Sequence, residues 1–421
     1  MALVVPRVVV AGVAFLAESW NCNFPSYGSV GTYEVTTSRK ELARAGLDLY
    51  TATLNRHPLG LDIFISVDGV ETHLWGGEID DTDWDFDTDT VTISGRDWAG
   101  ILVDQKITLA NFAPESSSLA VPSSTVGLSG GPATSYNVQN QSAVSLLSQI
   151  AKAHGLIPEP LNVSTEEATV PVGNILAENA VFSSQPLPEW EIIQAISRIY
   201  GWNTYVTPNK KLVFGPPKVS LNKLRVGWNL PTLPPGVLPC FNLQVQHQPR
   251  RNNSFLVVVE TYNVSTLEVH QALVGLPSQH EFLTYPLFKA NKAGFYTTTS
   301  LGPNVSAVTA LFKNLGKEVY LIHKAGLTPS QASRLAESIA LDLAKREIIV
   351  SFSLDGNPSI KPFDTLELQG SLSGFEGRKF FVQQVHHSFE LPDGGSIGTS
   401  GFLTHVKAWT LPLYHGVTQI L

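Results

Sequence analysis

The chain has 421 residues, 43% of them hydrophobic and 15% charged, with a formal net charge of −8. That length exceeds one ordinary domain, and an acidic chain with scattered Lys and Arg lacks the basic face a nucleic-acid binder uses to displace counterions. No run is long and apolar enough for a membrane span. The two cysteines, Cys22 and Cys240, fit no metal or redox spacing, so disulfide stapling is not expected and a reducing cytoplasm suits the chain.

The N-terminal run Met1 to Leu16 is apolar, but Pro6 and Arg7 interrupt it and no basic region precedes it. It reads as two strands hinged at Gly12 rather than a signal peptide. Residues 1–112 read as a first antiparallel β-barrel. Leu61 to Val67 and Val70 to Trp75 alternate around a turn at Asp68-Gly69, with Gly76-Gly77 as further punctuation. Asp81, Asp83, Asp85, Asp87 and Asp89 then recur at every second position, with Trp84 and Phe86 between them. On a strand, that period puts five carboxylates on one face. The glycine and glutamate of a calcium-binding EF-hand loop are missing. The two open readings are a solvated outer face and the wall of a negatively charged channel.

Residues 113–140 read as a loop rich in Ser, Pro and Gly. Residues 141–215 read as an α+β insert. Its first helix runs from Ser142 to a closing Gly155, with Val144, Leu147, Ile150 and Ala151 on one face. A second runs from Pro188 to Gly201, with Ile192, Ile196, Ile199 and Tyr200 as its stripe, and a hairpin turning at Pro208-Asn209 follows. Residues 216–240 carry Pro231, Pro234, Pro235 and Pro239 and read as a crossover unable to hold a central strand. Residues 241–421 read as a second barrel with an insertion at about 265–317, no recognisable pattern over 276–303, and a helix at 328–346. That helix opens on a capping box, Thr328-Pro329-Ser330-Gln331. Strands follow at Ile348–Leu354, Thr365–Gln369, Lys379–His387 and Leu403–Leu411.

Nothing in this pattern points to catalysis, a cofactor or a metal. Gly394-Gly395-Ser396-Ile397-Gly398 matches a nucleophile elbow literally, but a strand rather than a helix is expected after it. His386 and His387 are adjacent on a strand and point to opposite faces, while His154 and His323 read as surface or helix-end residues. The basic doublets Lys210-Lys211 and Arg250-Arg251 read as solvated loop charge.

In architecture the chain resembles the baseplate hub proteins of tailed bacteriophages, the late-control and tail-hub group related to the hub portion of type VI secretion spike proteins. The resemblance rests on Thr90 to Asp104, which is similar to the end of the family's first barrel. It rests also on the two glycine-closed helices, on Gly201 to Val206 with Lys211 to Gly215, and on the entry from Pro329–Lys345 into Ile348 to Phe352 and Lys361 to Leu368. It implies a mainly β protein with two tail-tube-like antiparallel barrels and a small helical and hairpin domain. It implies a homotrimer that links a sixfold tail tube to a threefold spike and encloses a passage for DNA. The implied partners are the tail tube or distal tail protein, a separate central spike protein, the tape-measure protein and baseplate wedge proteins, with DNA only as transiting cargo. The implied location is the virion, after assembly in the host cytoplasm, and the implied role is structural, not enzymatic. On that reading the Asp81 to Asp89 face lines the channel. Two rival readings are a cell-wall or polysaccharide hydrolase, which needs a carboxylate pair across a cleft, and a receptor- or glycan-binding tail protein with Trp75, Trp84, Trp98 and Trp409 stacking on sugars.

Overall fold

The computed structural model describes residues 4–25, 29–55, 59–107, 141–163, 187–216, 223–248, 255–263, 268–276, 289–290, 296–298, 310, 313, 318–324, 326–345, 348–370, 379–391 and 401–410. The loop at 113–140 and almost all of 276–303 fall outside them, as do Arg250-Arg251 and the Gly394 to Gly398 pentapeptide.

The first barrel comprises β1 (Val4–Val10), β2 (Val13–Phe15), β3 (Ser19–Pro25), β4 (Thr32–Ser38), β5 (Gly60–Val67), β6 (Val70–Asp85) and β7 (Thr90–Asp97). Short helices α1 (Arg39–Ala45) and α2 (Leu49–Asn55) lie between β4 and β5. The expected turns form where residues tolerate a left-handed backbone, at Ala11-Gly12 (φ 53° and 84°) and Asp68-Gly69 (φ 51° and 83°). The order is β2-β1-β5-β6-β7-β4-β3, and among the described residues no ladder joins β2 to β3, so the closed barrel expected for residues 1–112 is corrected to an open sheet wrapped around one core, for which the term first barrel is kept. Gly76 and Gly77 are no turn: both lie inside β6.

A short helix α3 (Gly100–Asp104) and β8 (Lys106–Ile107) lead to the insert, which holds α4 (Ala143–Ala153), β9 (Ile157–Pro160), β10 (Leu187–Pro188), α5 (Glu189–Tyr200), β11 (Asn203–Val206) and β12 (Lys211–Gly215). Ser142 caps α4 through the Ser145 N–H at 3.3 Å, and Gly155 and Gly201 take φ of 69° and 66° to close the two helices. His154, at the end of α4, sits 2.6 Å from the buried Glu189 that opens α5, so it is a tie between helices rather than a surface residue.

The proline-rich stretch corrects the crossover expectation. It contains β13 (Lys223–Trp228), paired on both edges, and the start of β14 (Val237–His247). Pro231, Pro234 and Pro235 fall between the two strands, and only Pro239 enters one. The insertion also begins earlier than expected. Strands β15 (Phe255–Asn263), β16 (Glu268–Leu276), β17 (Lys289–Ala290), β18 (Tyr296–Thr298) and β19 (Glu318–His323) make a separate five-stranded sheet carrying α6 (Pro329–Lys345). The capping box is as expected: Gln331 N–H donates to Thr328 Oγ1 at 3.3 Å, and Thr328 N–H donates to Gln331 Oε1 at 2.9 Å. Ala332, Leu335, Ala336 and Ala340 of α6 share one core with Leu147, Ile150, Ile193, Ile196 and Phe214. The described residues between 255 and 345 thus belong with the insert, not with the barrel.

The second barrel closes as a six-stranded ring of β13 and β14 with β20 (Ile348–Asp355), β21 (Thr365–Gly370), β22 (Lys379–Glu390) and β23 (Gly401–Thr410). Its β13–β14 and β13–β21 ladders are parallel and its other four antiparallel. The strands flanking the Gly394 to Gly398 loop pair antiparallel, Glu390 opposite Gly401, which is not the strand-to-helix frame of a nucleophile elbow.

The insert is latched to the first barrel by its hairpin turn. Trp98 Nε1 donates to the Pro208 carbonyl at 3.0 Å, Lys210 Nζ lies 3.9 Å from the centre of the Trp98 ring, and His73 Nδ1 is 2.9 Å from Asn209 Oδ1. Lys210 is therefore not loop charge alone but half of a cation–π contact. A Cβ at Gly76 would stand 2.5 Å from the Pro208 carbonyl oxygen, so the strand carries glycine where another backbone approaches. Gly76→Val is expected to unseat the turn while leaving the barrels folded. Hydrogen exchange should rise at residues 203–215 and stay unchanged in β22 and β23.

Candidate functional site: a continuous polar sheet face

Strand β22 joins the two barrels. One edge pairs with β23 over nearly its whole length. The other pairs with β21 from Lys379 to Phe381 and then passes to β3, from Gln384–Pro25 to Glu390–Ser19. The outcome is one antiparallel run of eight strands, β6-β7-β4-β3-β22-β23-β20-β14, drawn from both barrels. Trp20 lies 6.0 Å from Phe389 and 5.8 Å from Phe402, so aromatics of the second barrel complete the core of the first.

Period two sorts this run into two faces. Val91 and Ile93, Val35, Trp20 and Cys22, Val385 and His387, Val406, and Phe352 point inward and are buried. The opposite face carries Thr90, Thr92 and Ser94 on β7, Thr32, Glu34 and Thr36 on β4, Asn21 and Asn23 on β3, Gln384, His386 and Ser388 on β22, His405 and Lys407 on β23, Ser351 and Ser353 on β20, and Gln244 and Gln246 on β14. All are exposed or half-buried. This face is hydroxyl- and amide-rich and poor in cations; its apolar members are Leu403, opposite Ser388 and Asp355, and Ile349 with the half-buried Trp409 beside Gln246. Its acids are Glu34, Asp81, Asp83, Asp85, Asp355 and Glu390; its cations are Arg96 and Lys407.

Three of the five expected carboxylates sit on this face. Asp81, Asp83 and Asp85 oppose Ser94, Thr92 and Thr90 and are exposed. The strand then ends. Asp85 Oδ1 accepts from the N–H groups of Asp87 and Thr88 at 2.9 and 3.2 Å, which turns the chain and puts Asp87 in the turn. Asp89 takes φ 61° and pairs with Arg39 and Lys40 at 3.6 and 3.5 Å. Five carboxylates on one face is therefore corrected to three. A fourth acid, Asp80, was missed by the period-two count because a bulge falls between Ile79 and Asp81. It is clamped by Arg96, which also holds Asp104: Nε and Nη2 bond Asp80 at 2.6 and 2.7 Å, and Nη1 and Nη2 bond Asp104 at 3.0 and 2.7 Å. One cation of the face is thus spent within its own cluster.

Beneath the clamp two carboxylates are perturbed. Burial, reinforced by Asp80, pushes Glu78 up to about 7, and burial pushes Asp97 up to about 7 although the Gly31 and Ala99 N–H groups bond it at 2.8 and 2.9 Å. At the junction of barrels and insert lies a cavity of about 680 Å³, bordered by Phe24, Trp190, Tyr205, Phe363 and His387. Burial holds the His387 imidazole down to about 3, so it stays neutral and bonds Thr404 Oγ1 at 3.0 Å, while His386 looks out on the polar face. His323 is exposed beside Glu260. Trp75 and Trp98 are buried, Trp84 packs partly into the first core and Trp409 is half-buried, so this set makes no exposed stacking platform. Among the described residues no group of three or more His, Cys, Asp or Glu could hold a metal, and no helix is long and apolar enough to cross a membrane.

No family model and no curated protein matches the chain. Solved structures do. A tail protein from Neisseria meningitidis MC58 aligns with TM-score 0.58 at 11% identity over 96% of each chain. A 43 kDa tail protein of prophage MuSo2 from Shewanella oneidensis aligns with TM-score 0.57 at 11% identity over 97% of this chain and 99% of that one. At such identity the likeness is one of fold, and the mainly β architecture with its small helical parts is the fold of these phage tail proteins.

The raised carboxylates set a pH dependence. Folded Glu78 and Asp97 keep protons that the unfolded chain releases above about pH 4, so stability falls as pH rises from about 4 to about 7 and levels off above that. Glu78→Gln removes one buried charge. Urea titrations should find that variant more stable than the parent at pH 8 and nearly equal to it at pH 5.

Proposed function

We propose that the chain is a baseplate hub of a phage tail: three copies close into a ring that joins a sixfold tail tube to a threefold spike and encloses the passage for the genome. The observation that carries this reading is the continuous, largely polar sheet face shared by both barrels. Each barrel supplies four of its eight strands, so three chains present six similar four-stranded units to a sixfold neighbour while keeping threefold symmetry for the spike. The fold shared with tail proteins over nearly the whole chain supports the same reading.

Inside such a ring the face works by what it lacks. Ser, Thr, Asn and Gln offer short neutral side chains, and the excess of acids repels a phosphate backbone in transit. The partners on this reading are the tube or distal tail protein, the spike, the tape-measure protein and wedge proteins, within a virion. DNA is cargo, and the role is structural rather than enzymatic.

The test places positive charge in the middle of the face. In Glu34→Lys, Thr36→Lys, Ser388→Lys, tails should assemble in normal number but release their genome more slowly, and raised salt, which shortens the screening length to well below about 10 Å, should relieve the defect. Unchanged release from assembled triple-variant particles would rule out the channel wall.

A further inference from the structure

The two barrels are structural repeats in the same chain order. Strands β3, β4, β5, β6 and β7 correspond to β14, β20, β21, β22 and β23, and each antiparallel ladder of the first set recurs in the second: β5–β6 as β21–β22, β6–β7 as β22–β23, β4–β7 as β20–β23, and β3–β4 as β14–β20. Even the bulges correspond. β6 shifts register between Ile79 and Asp81, just beyond its last pair with β5 at Glu78, and β22 shifts between Val382 and Gln384, just beyond its last pair with β21 at Phe381.

One ladder has no counterpart. β22, once past β21, is taken up by β3. β6, once past β5, is taken up by no strand among the described residues from Asp80 to Asp85. Likewise β14, the equivalent of β3, pairs with β13 only as far as Cys240, and no described strand follows on that edge from Phe241 to Gln246. Such edges invite pairing, and the direction of alternation along the eight strands leaves β14 and β6 antiparallel to each other.

From this the geometry points to a specific joint between copies of the chain, resting on the ring reading above: β14 of one copy adds to β6 of the next in the register that β3 and β22 already adopt. Matching the ladders pair by pair makes Gln246 the equivalent of Asn23 and Asp83 that of His386. Asn23 opposes His386 within the chain, so Gln246 opposes Asp83 of the neighbouring copy, Gln244 opposes Asp85, and Val245 opposes Trp84. The chemistry agrees. Amide N–H groups meet carboxylates on the polar face, as Gln384 Nε2 meets Asn23 Oδ1 at 2.7 Å in the existing joint. On the inner face the existing pair, Cys22 and His387, is buried to 0% and 1% exposure, whereas Val245 and Trp84 stay half-buried in the single chain. The joint completes their burial, and the acids at 81, 83 and 85 then serve two ends: lining the face and marking the edge that a second strand accepts.

The register is testable by cysteine pairing in the full chain, since native Cys22 and Cys240 are buried and do not compete. Directly opposed residues stand about 4.5–5.5 Å apart, within disulfide reach, while diagonal ones stand about 7–8 Å apart, beyond it. Gln246→Cys with Asp83→Cys should lose its monomer band to linked dimers and trimers on oxidation in assembled tails. Gln246→Cys with Asp85→Cys should keep it. Hydrogen exchange on the unsubstituted chain gives a readout independent of folding of the variants: amides at 80–85 and 241–246 should be slowed in tails relative to the dissociated chain. Three copies per tail with no in-register link and no slowed exchange would overturn the joint and leave the ring standing. One copy per tail would overturn both.

Discussion

The ladder between β3 and β22 is the constraint on which the rest of the structure depends. It pairs residues 19–25 with residues 384–390, near opposite ends of the chain, and turns two barrels with separate cores into one sheet. Trp20, Phe389 and Phe402 seal it from within. Long-range pairing of this kind is costly in loop-closure entropy. Here the ladders β3–β4 and β22–β23 present the two edges that it joins. Were β22 to remain with β21 along its full length, the second barrel would still close and the polar face would be cut in two.

What keeps that face polar is parity. A sheet with a core on one side has every second residue committed to apolar packing, so only the alternate set is free to serve another purpose. The bulge at Gln383 is where β22 exchanges β21 for β3, the bulge at Asp80 is where β6 leaves β5 with no described strand in its place, and a bulge locally raises twist. At each bulge the strand turns away from its first partner and runs on within the eight-stranded sheet. Arg96 then fixes the first of these bends by bonding Asp80 on the bulge and Asp104 on α3, tying the sheet to the segment that leads into the insert.

Much of this was legible because it is local chemistry. The glycine-closed helices, the Thr328–Gln331 capping box and the Asp68-Gly69 turn each follow from a few adjacent residues and a backbone rule. Other elements were illegible because their reasons lie far away in sequence. Gly76 reads as a turn residue, but it is needed because the Pro208 carbonyl approaches it from a hairpin more than a hundred residues on. Residues 223–228 look unfit for a central strand because prolines crowd the next segment, yet β13 itself contains none. Residues 255–260 and 318–322 read as strands like those of the barrel, and only the partner of their apolar face, the α4 and α5 core, assigns them to the insert. The acidic run was half legible. Its period of two holds to Asp85, and the Asp-Phe-Asp-Thr-Asp composition that follows is also that of a turn in which a carboxylate captures the next N–H groups.

The repeat itself escaped the sequence for a physical reason that bears on function. At equivalent places the two barrels keep the burial pattern but not residue identity: Asp83 stands where His386 stands, Thr92 where His405 stands, and Thr36 where Ser353 stands, while Thr90, Thr32 and Arg96 give way to Leu403, Ile349 and Trp409. A binding or catalytic site would fix particular groups in particular geometry, and its repeats would share them. On the reading proposed above, a surface that must only stay hydrated and unattractive to what passes over it is satisfied by many polar residues, provided that basic side chains are few. At a strand edge the requirement is of another kind, because there each backbone N–H and C=O needs a partner in register whatever the side chains are.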